Sequence, residues 1–548
     1  MTPSRQKTAL IVSALALATA GGASAYRFSK AESATIATQD GFRPYSARGA
    51  EPVDPAAYLS ALGLDAGSYE SASFDEEIGA LVVTGIAPSG GDADVAIGRA
   101  ELFAPDLDAA RAIGSAASDL QAPFERLRLY DVTLTKDPCE DEGTEGCGAD
   151  AGPGARPAPT MIRLGGAEVQ DLRVRRPEAQ GEDAVAAAAW LTSFAMGDVT
   201  LQDLVVTNEN TVSVAQLTLN GYEEGRLGRV NLRALETMTG EEVSAVRGRL
   251  ASMSPALAGV LNGPLGGLFL PENARTTIAS LRWDGMSVAG LLPYLAAGEE
   301  PPMDADDMIE VGGAELRDQK TYVNGKLATS AARTTISDID FLGYMPQRFS
   351  AATEGVTTDY SVYFGEEEAE LLPVLKAQGL TAVKSSSRVD YAYDADADTI
   401  RFTSEGEAKD LFSSRLDARM SAFDHAAVLG GGEEALSAVA IDGITLTLED
   451  EALIGALFAV YGAMEGRDPA RLREGVAGTV TIAALQGQGV SPRVPDYADA
   501  VSQFVSEGGT LKISIDPSSP VVLGTLSDGA ARPAQLIERL NLTVEREE

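Results

Sequence analysis

Few residues in this sequence have the type and spacing that chemistry requires. Asp394, Asp396 and Asp398, with Glu405 at the twelfth position, have the spacing by which a calcium loop supplies oxygen ligands. The sixth position of such a loop is glycine, because the chain turns sharply there, and here it is Thr399. The flanking residues alternate as strands do. The sequence therefore favours a solvated hairpin turn over a calcium site.

A serine nucleophile is the second candidate. Ser287 lies in the segment Gly285–Gly290, GMSVAG, which misses the G-x-S-x-G elbow of hydrolases by one residue. The chain has one histidine, His425, which follows Asp424, and nothing in the sequence places it beside Ser287. A lone histidine without a neighbouring nucleophile is typical of a structural or surface residue. The sequence predicts no catalytic residue and a protein that is not an enzyme.

Composition excludes further classes of protein. The 548 residues include 43 Lys and Arg against 81 Asp and Glu, a net charge of −38. Such a surface repels phosphate groups, so nucleic acid is excluded as a partner. One histidine and two cysteines leave too few ligands for most metal sites, and no glycine-rich phosphate loop occurs. We therefore expect neither a metal nor a cofactor.

The two cysteines, Cys139 and Cys147, enclose an acidic, glycine-rich loop, CEDEGTEGC. A redox pair or a metal clip usually has two residues between its cysteines, and here there are seven. Cysteines in an exported protein are expected to pair. The sequence predicts a Cys139–Cys147 disulfide that closes a short structural loop.

The amino terminus has the pattern of an export signal. A basic stretch at 5–7 precedes an apolar one at 8–20, and the small residues Ala-Ser-Ala at 23–25 provide a cleavage site. Residues 1–25 are therefore predicted to be a signal peptide and the protein to be periplasmic. The alternative is an uncleaved anchor in the inner membrane, formed by residues 8–28. No other stretch approaches the apolar length of a membrane span.

From about residue 74 to 365, short apolar stretches alternate with turns. Their period of two residues indicates β-strands. The clearest are Ile78–Thr84, Phe124–Leu134, Ala167–Val174, Val199–Val206, Val212–Leu219 and Leu227–Leu232. Many of these stretches end in an acid or Asn followed by an apolar residue, which indicates that the next strand of one long antiparallel sheet begins there.

Helices and a repeat interrupt this rhythm. Apolar spacing predicts helices at Ala184–Phe194, Glu241–Leu261 and Glu366–Leu380. The last of these helices is expected to be broken by Pro373.

The pentapeptide ARTTI occurs at 274–278 and again at 332–336, and each copy is followed by Gly, Met and a short apolar segment. The repeat predicts a duplicated unit of one strand and one short helix.

The pattern changes after about residue 381. A hairpin is predicted at 387–403, and a strand pair or a bulged strand at Val439–Leu448. Three helices should follow: one at Glu451–Tyr461, one headed by Asp468 and Pro469, and one that Asp496 opens and Gly508 ends. A strand at Leu511–Ile515 and a helix at Ala534–Leu540 complete the module.

The predicted fold class is α+β and β-rich, with a long curved antiparallel sheet of repeated short strands, interspersed helices and a helical C-terminal part. The expected segments are a signal peptide or anchor at 1–25, a β-rich region at 26–147, a linker or loop at 148–160, the repeated sheet region at 161–380 and an α+β module at 381–548. Residues 300–308 have the composition of a further linker or loop.

The order of elements after residue 381, with its Asp468-Pro469 helix, Gly508-Gly509 stop and Ser519-Pro520-Val521 turn, resembles the C-terminal part of uncharacterised exported proteins of alphaproteobacteria. The preceding strand rhythm is similar to that of AsmA-like envelope proteins, which are built on long curved sheets. The resemblance spans about residues 74–548. It implies an envelope protein with an apolar groove, from a superfamily associated with lipid handling. AsmA-like proteins usually keep an uncleaved anchor, and here the apolar segment is shorter.

Two functions fit this sequence. The first is a non-enzymatic exported envelope protein that binds a lipid or another apolar ligand in a sheet groove. The alternative is a structural or interaction scaffold of the envelope, with other envelope proteins as partners and a sheet filled by its own side chains. A groove and a core lined by Leu and Val have the same sequence pattern, so both functions remain open at this point.

Overall fold

The computed structural model describes residues 42–88, 94–113, 119–136, 159–179, 184–208, 211–238, 274–302, 305, 308–343, 345–363, 370–424, 433–487, 491–529 and 533–547. The predicted signal peptide, Cys139, Cys147, His425 and the helix predicted at 241–261 lie outside these residues. The chain forms two compact units, 1–301 and 302–548. The division falls in the segment 300–308 that was expected to be a linker or loop.

The first unit is an antiparallel sheet. Its strands are β1 (Ser71–Asp75), β2 (Ala80–Ile86), β3 (Asp94–Phe103), β4 (Arg126–Lys136), β5 (Thr160–Gln170), β6 (Arg173–Val174), β7 (Phe194–Thr207), β8 (Thr211–Glu223), β9 (Arg226–Leu227), β10 (Val230–Met238), β11 (Ala274–Trp283) and β12 (Met286–Ser287). The long strands pair in the order β1-β2-β3-β4-β5-β7-β8-β10-β11. Each of the six predicted strand stretches overlaps these strands, and four of them also include residues outside the strands, at 78–79, 124–125, 171–172 and 228–229.

Short helices cover parts of this sheet. They are α1 (Pro55–Ala61), α2 (Leu107–Ala112), α3 (Ala184–Leu191) and α4 (Leu292–Ala297). The helix predicted at 184–194 is confirmed as α3, which ends at Leu191, and Phe194 already belongs to β7. α1 begins where its sequence favours a start: the Asp54 carboxylate accepts a hydrogen bond from the Ala56 amide at 3.2 Å, and Pro55 is the first helical residue.

One pair of residues interrupts the ladder between β3 and β4. Ile97 lies opposite Val132 and Arg99 opposite Tyr130 in a single register, and the unpaired residues between them are Gly98 and Asp131. Asp131 has a φ of 54°, in the left-handed region that Asp tolerates better than most residues. A Cβ atom on Gly98 would lie 3.1 Å from the Asp131 Cβ, which is tighter than ordinary contact. Glycine therefore fits opposite the left-handed aspartate.

The same interruption continues across the long strands of the first unit from β2 to β11, and we call this line of residues the crease. Its members are Gly85, Gly98, Asp131, Gly165, Asp203, Ala215, Ala234 and Ala279. The backbone is left-handed at alternate members, namely Gly85, Asp131, Asp203 and Ala234. The crease residues Asp131 and Asp203 lie inside β4 and β7, as they do in the predicted stretches Phe124–Leu134 and Val199–Val206. A single left-handed residue lets each strand continue past its acid.

The second unit is also an antiparallel sheet. Its strands are β13 (Glu310–Val311), β14 (Ala314–Val323), β15 (Lys326–Leu342), β16 (Met345–Thr358), β17 (Val383–Asp394), β18 (Thr399–Ala408), β19 (Phe412–Ser421), β20 (Ala440–Asp450), β21 (Gly509–Ile515), β22 (Val521–Val522) and β23 (Leu542–Glu547). The long strands pair in the order β14-β15-β16-β17-β18-β19-β20-β21-β23. The predicted β-rich α+β class is confirmed.

The two faces of this second sheet differ in chemistry. One row across β17–β23 contains Val389, Ser404, Leu416, Leu446, Ile513 and Val544. The neighbouring row, on the other face, contains Arg388, Glu405, Arg415, Thr447, Lys512 and Glu545. Arg415 forms ion pairs of 2.5 Å with Glu405 and 2.7 Å with Asp417. Alternation of period two thus separates an apolar face from a charged one.

Helices concentrate in the second unit, as predicted for the C-terminal part. They are α5 (Leu372–Ala377), α6 (Glu433–Ala438), α7 (Leu453–Glu465), α8 (Pro469–Gly487), α9 (Val494–Glu507), α10 (Gly524–Gly529) and α11 (Pro533–Leu540), with one 3₁₀ turn at Tyr360–Tyr363. The structure confirms the helices predicted at 451–461, after Asp468, around Asp496 and at 534–540. Gly508, with a φ of 77°, ends α9 as expected.

The helix predicted at Glu366–Leu380 is described only from residue 370 onward, and Pro373 lies in the first turn of α5, where a missing amide costs nothing. One expectation in this unit was wrong. The second ARTTI copy, 332–336, lies in the middle of β15 and is followed by β16, whereas the first copy leads through β12 to α4. The apolar sequel of the second copy therefore continues the sheet rather than forming a short helix.

Candidate functional site

An apolar recess opens in the first unit beside α1 and the strands β2, β3 and β4. Thirteen residues line it, and none of them has a polar side chain. They are Leu59, Leu62, Leu64, Val83, Ile86, Pro88, Val95, Ile97, Ala100, Leu102, Phe124, Leu127 and Leu129. The cavity volume of the recess is about 70 Å³, and its mouth is open to solvent. Its lining is apolar, as the linings of ligand pockets mostly are.

The helix α1 forms one wall of the recess. Its residues Tyr58 and Leu59 are 0% and 1% exposed. The Tyr58 hydroxyl donates a hydrogen bond of 2.5 Å to the carbonyl of Pro123. Burial, with a smaller contribution from Asp106, raises the pKa of Tyr58, so the hydroxyl keeps its proton and remains a donor. A helix of seven residues is marginal alone, so these contacts determine its position.

The recess has a buried floor and a rim that contacts water. Val83, Ala100 and Leu127 are buried. Ile97 and Val95 are only half-buried, as are Leu64 and Pro88. Exposed apolar groups that adjoin an apolar floor offer a continuous surface to a chain entering from solvent.

The crease sets which side chains line the recess. Ile97 and Ala100 on β3 are three residues apart, and so are Val83 and Ile86 on β2. In a regular strand, residues three apart point to opposite faces. Both pairs nevertheless line the recess, because a crease residue lies within each interval. The crease thus brings both ends of each strand to one apolar face.

The opposite face of β3–β5 contains buried charge. Arg128 is buried, and its Nε donates a hydrogen bond of 2.7 Å to Glu168 Oε2. Arg126 contacts the same carboxylate oxygen at 3.2 Å. Glu101 is also buried and accepts a hydrogen bond of 3.1 Å from the Tyr130 hydroxyl. These charges are paired, as buried charges must be.

Residues 42–48, which we name the strap, cover this polar face. Arg128 donates a hydrogen bond of 2.6 Å to the Arg43 carbonyl. The Tyr45 hydroxyl donates one of 2.5 Å to Glu125, and the Arg126 guanidinium lies 3.9 Å from the Tyr45 ring centre. Desolvation by burial, followed by the Glu125 carboxylate, raises the pKa of Tyr45 to about 12. The chain then continues into α1, which packs on the apolar face.

The structure shows where the described candidate residues of the sequence lie. Ser287 is buried at the end of β12, and its Oγ accepts a hydrogen bond of 3.3 Å from the Ala289 amide. Asp394 caps the turn between β17 and β18 by accepting hydrogen bonds from the amides of Asp396 and Ala397. The predicted hairpin is therefore present. Ser287 lies in the first unit and the acidic turn in the second.

Sequence reasoning missed the recess itself. Its signal is a shift in the apolar period. Two pairs of alternating apolar residues have two residues between them, where a regular strand would have one. β4 shows it as Leu127, Leu129, Val132 and Leu134, with Asp131 in the interval. The same spacing recurs in β7, with Asp203 in the interval. An acid within such an interval indicates a crease residue, and the crease determines which apolar side chains share one face.

Comparison with known proteins gives one partial match. A family model described as "Uncharacterized protein" matches residues 398–547, from the β17–β18 turn to the end of β23. No curated protein matches the chain. The match supports a relation between the C-terminal part and an uncharacterised family, and gives no support to the AsmA-like resemblance.

Two further observations concern the described part of the chain only. No helix within it has both the length and the apolar character needed to span a membrane. Across the same residues, no three His, Cys, Asp or Glu side chains are grouped as metal ligands would be.

Proposed function

We propose that this protein is a non-enzymatic cell-envelope protein that binds the alkyl chain of a lipid or a similar apolar ligand in the recess beside α1. One observation carries the proposal: an open recess whose thirteen lining side chains are all apolar. Moving such a chain out of water stabilises the complex by ~0.8 kcal/mol per buried CH₂. The rival function is a scaffold that binds no ligand.

Two measurements test ligand binding. Protein purified without detergent is extracted, and the extract is analysed by mass spectrometry for copurifying lipid. The purified protein is then titrated with N-phenyl-1-naphthylamine, a neutral dye that fluoresces in apolar sites. We expect copurifying lipid, saturable dye binding and displacement of the dye by decyl maltoside. If lipid is absent from several preparations and the dye does not bind, the scaffold function replaces this one.

A variant assigns the binding to the recess. Ala100 is buried in the floor, so Ala100→Phe places an aromatic ring where the ligand would lie. Ala392, an exposed residue of β17, provides the matched control Ala392→Phe. Dye binding should be lost in Ala100→Phe and retained in Ala392→Phe, with circular dichroism confirming that both variants fold. Ile97→Asp at the half-buried rim tests the same site without filling its floor.

We further propose that the protein acts in the periplasm, as the signal-like residues 1–25 support. N-terminal sequencing of protein from a periplasmic extract should begin at Tyr26. An intact chain that starts at Met1 in the membrane fraction would instead support the anchor formed by residues 8–28.

A further inference from the structure

Pairs of arginines in this chain repeatedly share one carboxylate. Arg317 and Arg333 lie directly opposite each other on β14 and β15. Both guanidinium groups contact the same oxygen of Glu315, at 3.1 and 2.5 Å. In the first unit, Asp284 and Glu168 each hold two arginines on one oxygen in the same way. A single carboxylate between two arginines offsets their mutual repulsion.

A second pair of opposed arginines in the second unit has no shared carboxylate. Arg401 on β18 lies directly opposite Arg419 on β19, on the charged face of the sheet. Both side chains are exposed, and neither forms an ion pair or a side-chain hydrogen bond with any residue that the structure describes. Like charges directly opposite each other destabilise a sheet. The pair therefore differs from the Arg317–Arg333 pair in one component, the acid.

Two acids on the adjoining strand positions already have other partners. Asp417 pairs with Arg415 at 2.7 Å, and this contact is the main reason for its lowered pKa, to which Arg401 contributes least. Asp442 accepts a hydrogen bond of 2.7 Å from the Ser421 hydroxyl. Among the described residues, neither carboxylate lies within ion-pair distance of the two opposed arginines.

The neighbours of this arginine pair are small. Ala392 lies opposite Arg401 on β17, and Gly443 lies opposite Arg419 on β20. A Cβ atom on Gly443 would lie 3.2 Å from Arg419 Nη2, so the guanidinium lies across the glycine. Arg419 thus leans towards β20 and away from Arg401, as two like charges without a shared acid are expected to do.

We propose that Arg401 and Arg419 bind one carboxylate group of an external ligand, in the role that Glu315 has for the other opposed pair. A carboxylate has two oxygens and accepts the paired N–H groups that a guanidinium presents. Because both arginines are exposed, the bond is weak and salt reduces it further. The site lies in the second unit and does not depend on the recess of the first.

Phenylglyoxal, which reacts with accessible guanidinium groups, measures the state of each arginine. Mass spectrometry of the digested protein gives the rate at every position. The two proposed ligands of the carboxylate should react at least about threefold faster than Arg388 and Arg415, which ion pairs hold. Propionate is the probe, since it carries the carboxylate of a glutamate side chain. At about 50 mM and matched ionic strength, it should slow the reaction at Arg401 and Arg419 at least about twofold relative to chloride, and leave the paired arginines unchanged.

Matched variants show whether the two arginines act together. In Arg401→Gln, propionate should no longer protect Arg419, because one exposed guanidinium alone holds a carboxylate too weakly. Arg333→Gln removes one arginine of the other opposed pair and is the control. Protection at both positions of the proposed site should persist in this control, with circular dichroism confirming that both variants fold.

The repulsion within the pair gives a measurement that needs no ligand. Arg401→Gln should melt at a higher temperature in chloride than Lys320→Gln, because only the first substitution removes a like charge from the opposite strand position. Lys320 is exposed and lies opposite Ser330. Both variants lose one positive charge, so the effect on the net charge is the same.

The results identify the source of the carboxylate as well. A blocked Gly-Glu-Gly peptide that protects at lower concentration than propionate, while Gly-Gln-Gly does not protect, supports the site and indicates an acidic side chain of a partner protein. Equal protection by the glutamate peptide and propionate supports the site and indicates a free carboxylate. The inference is overturned if the opposed arginines react no faster than the paired ones, if propionate protects all of them equally, or if Arg419 stays protected in Arg401→Gln. It is also overturned if Arg401→Gln melts no higher than Lys320→Gln.

Discussion

At the scale of single residues, the crease shows how one backbone angle determines which side chains face the recess. Asp131 is exposed and contributes nothing to the core, yet its left-handed φ of 54° lies between the buried Leu129 and Val132. The left-handed region costs most residues ~1–2 kcal/mol, and Asp less, because its short polar side chain bonds locally. A surface aspartate thereby determines how a buried apolar face is assembled.

Substitution of Asp131 tests this role. Asp131→Gly should be close to neutral, because glycine adopts a positive φ freely. Asp131→Val should destabilise the fold by ~1–2 kcal/mol, since a β-branched residue is strained there. Urea unfolding measures both changes. Asp94→Val, at an exposed strand position with ordinary φ, is the control. If Asp131→Val is no less stable than this control, the left-handed backbone angle at residue 131 is not needed for the stability of the fold.

The partner position gives a second test of the crease. A Cβ on Gly98 would lie 3.1 Å from the Asp131 Cβ and 3.4 Å from its Oδ2. Gly98→Val should therefore destabilise the fold by ~1–3 kcal/mol, the cost of overpacking. Combination with Asp131→Gly should recover part of this loss, because the opposing side chain is removed. Strictly additive losses in the double variant would show that the two positions do not interact.

Tyr222 makes stability depend on pH in the alkaline range. Its hydroxyl donates a hydrogen bond of 2.8 Å to the Leu191 carbonyl, and burial raises its pKa from 10.0 to about 12. Between pH 10 and 12 the unfolded chain releases this proton while the folded chain keeps it. This contribution to stability is therefore complete below pH 10 and is lost as the pH rises towards 12.

A variant of Tyr222 isolates this contribution. Tyr222→Phe should unfold more easily at pH 8, by ~1 kcal/mol, because the hydrogen bond is lost. Its further loss of stability between pH 10 and 12 should be smaller than that of the natural chain. Urea unfolding at several pH values measures both effects. Tyr461→Phe, at a half-exposed residue of α7, is the control. Parallel pH profiles for the natural chain and Tyr222→Phe would contradict the assignment.

At the scale of elements, helix boundaries follow from local chemistry. Asp468 accepts a hydrogen bond of 2.9 Å from the Ala470 amide, and Pro469 is the first residue of the 19-residue helix α8. Asp468→Ala should cost ~1 kcal/mol, because an unpaired amide at the helix start loses its acceptor. Thermal unfolding measures the change. Asp499→Ala, an exposed position inside α9, is the control, and equal effects of the two substitutions would show that the cap contributes nothing.

The elements also show what the sequence could and could not predict. Long helices with caps, such as α8, and strands with a clear period, such as β17 and β18, were predicted because local signals suffice there. The recess was not predicted, because it depends on a shift in the apolar period that occurs at paired positions of successive strands. The wall α1 was missed as well, since seven residues give too little periodicity and its position depends on Tyr58 and Pro123.

At the scale of the whole molecule, two kinds of charge effect oppose each other. Exposed pairs on the charged face of the second unit stabilise locally: Arg333, for example, donates a hydrogen bond to Glu315 and lowers the pKa of that carboxyl. Each exposed pair contributes little and weakens as salt is added. The net charge of −38 has the opposite effect, because the excess acidic side chains repel one another and destabilise the entire fold.

Since repulsion involves every unpaired acid and each pair contributes little, screening should stabilise the molecule overall. We expect the melting temperature to rise as sodium chloride increases from about 10 mM to 500 mM, over which the Debye length falls from ~30 Å to a few Å. Differential scanning calorimetry measures the shift. Calcium at matched ionic strength should act as sodium does, because Asp394 caps the β17–β18 turn and Glu405 pairs with Arg415. A melting temperature that rises by many degrees in millimolar calcium alone would instead require a cation site, and the acids of 394–405 or the Cys139–Cys147 loop would be the first to substitute.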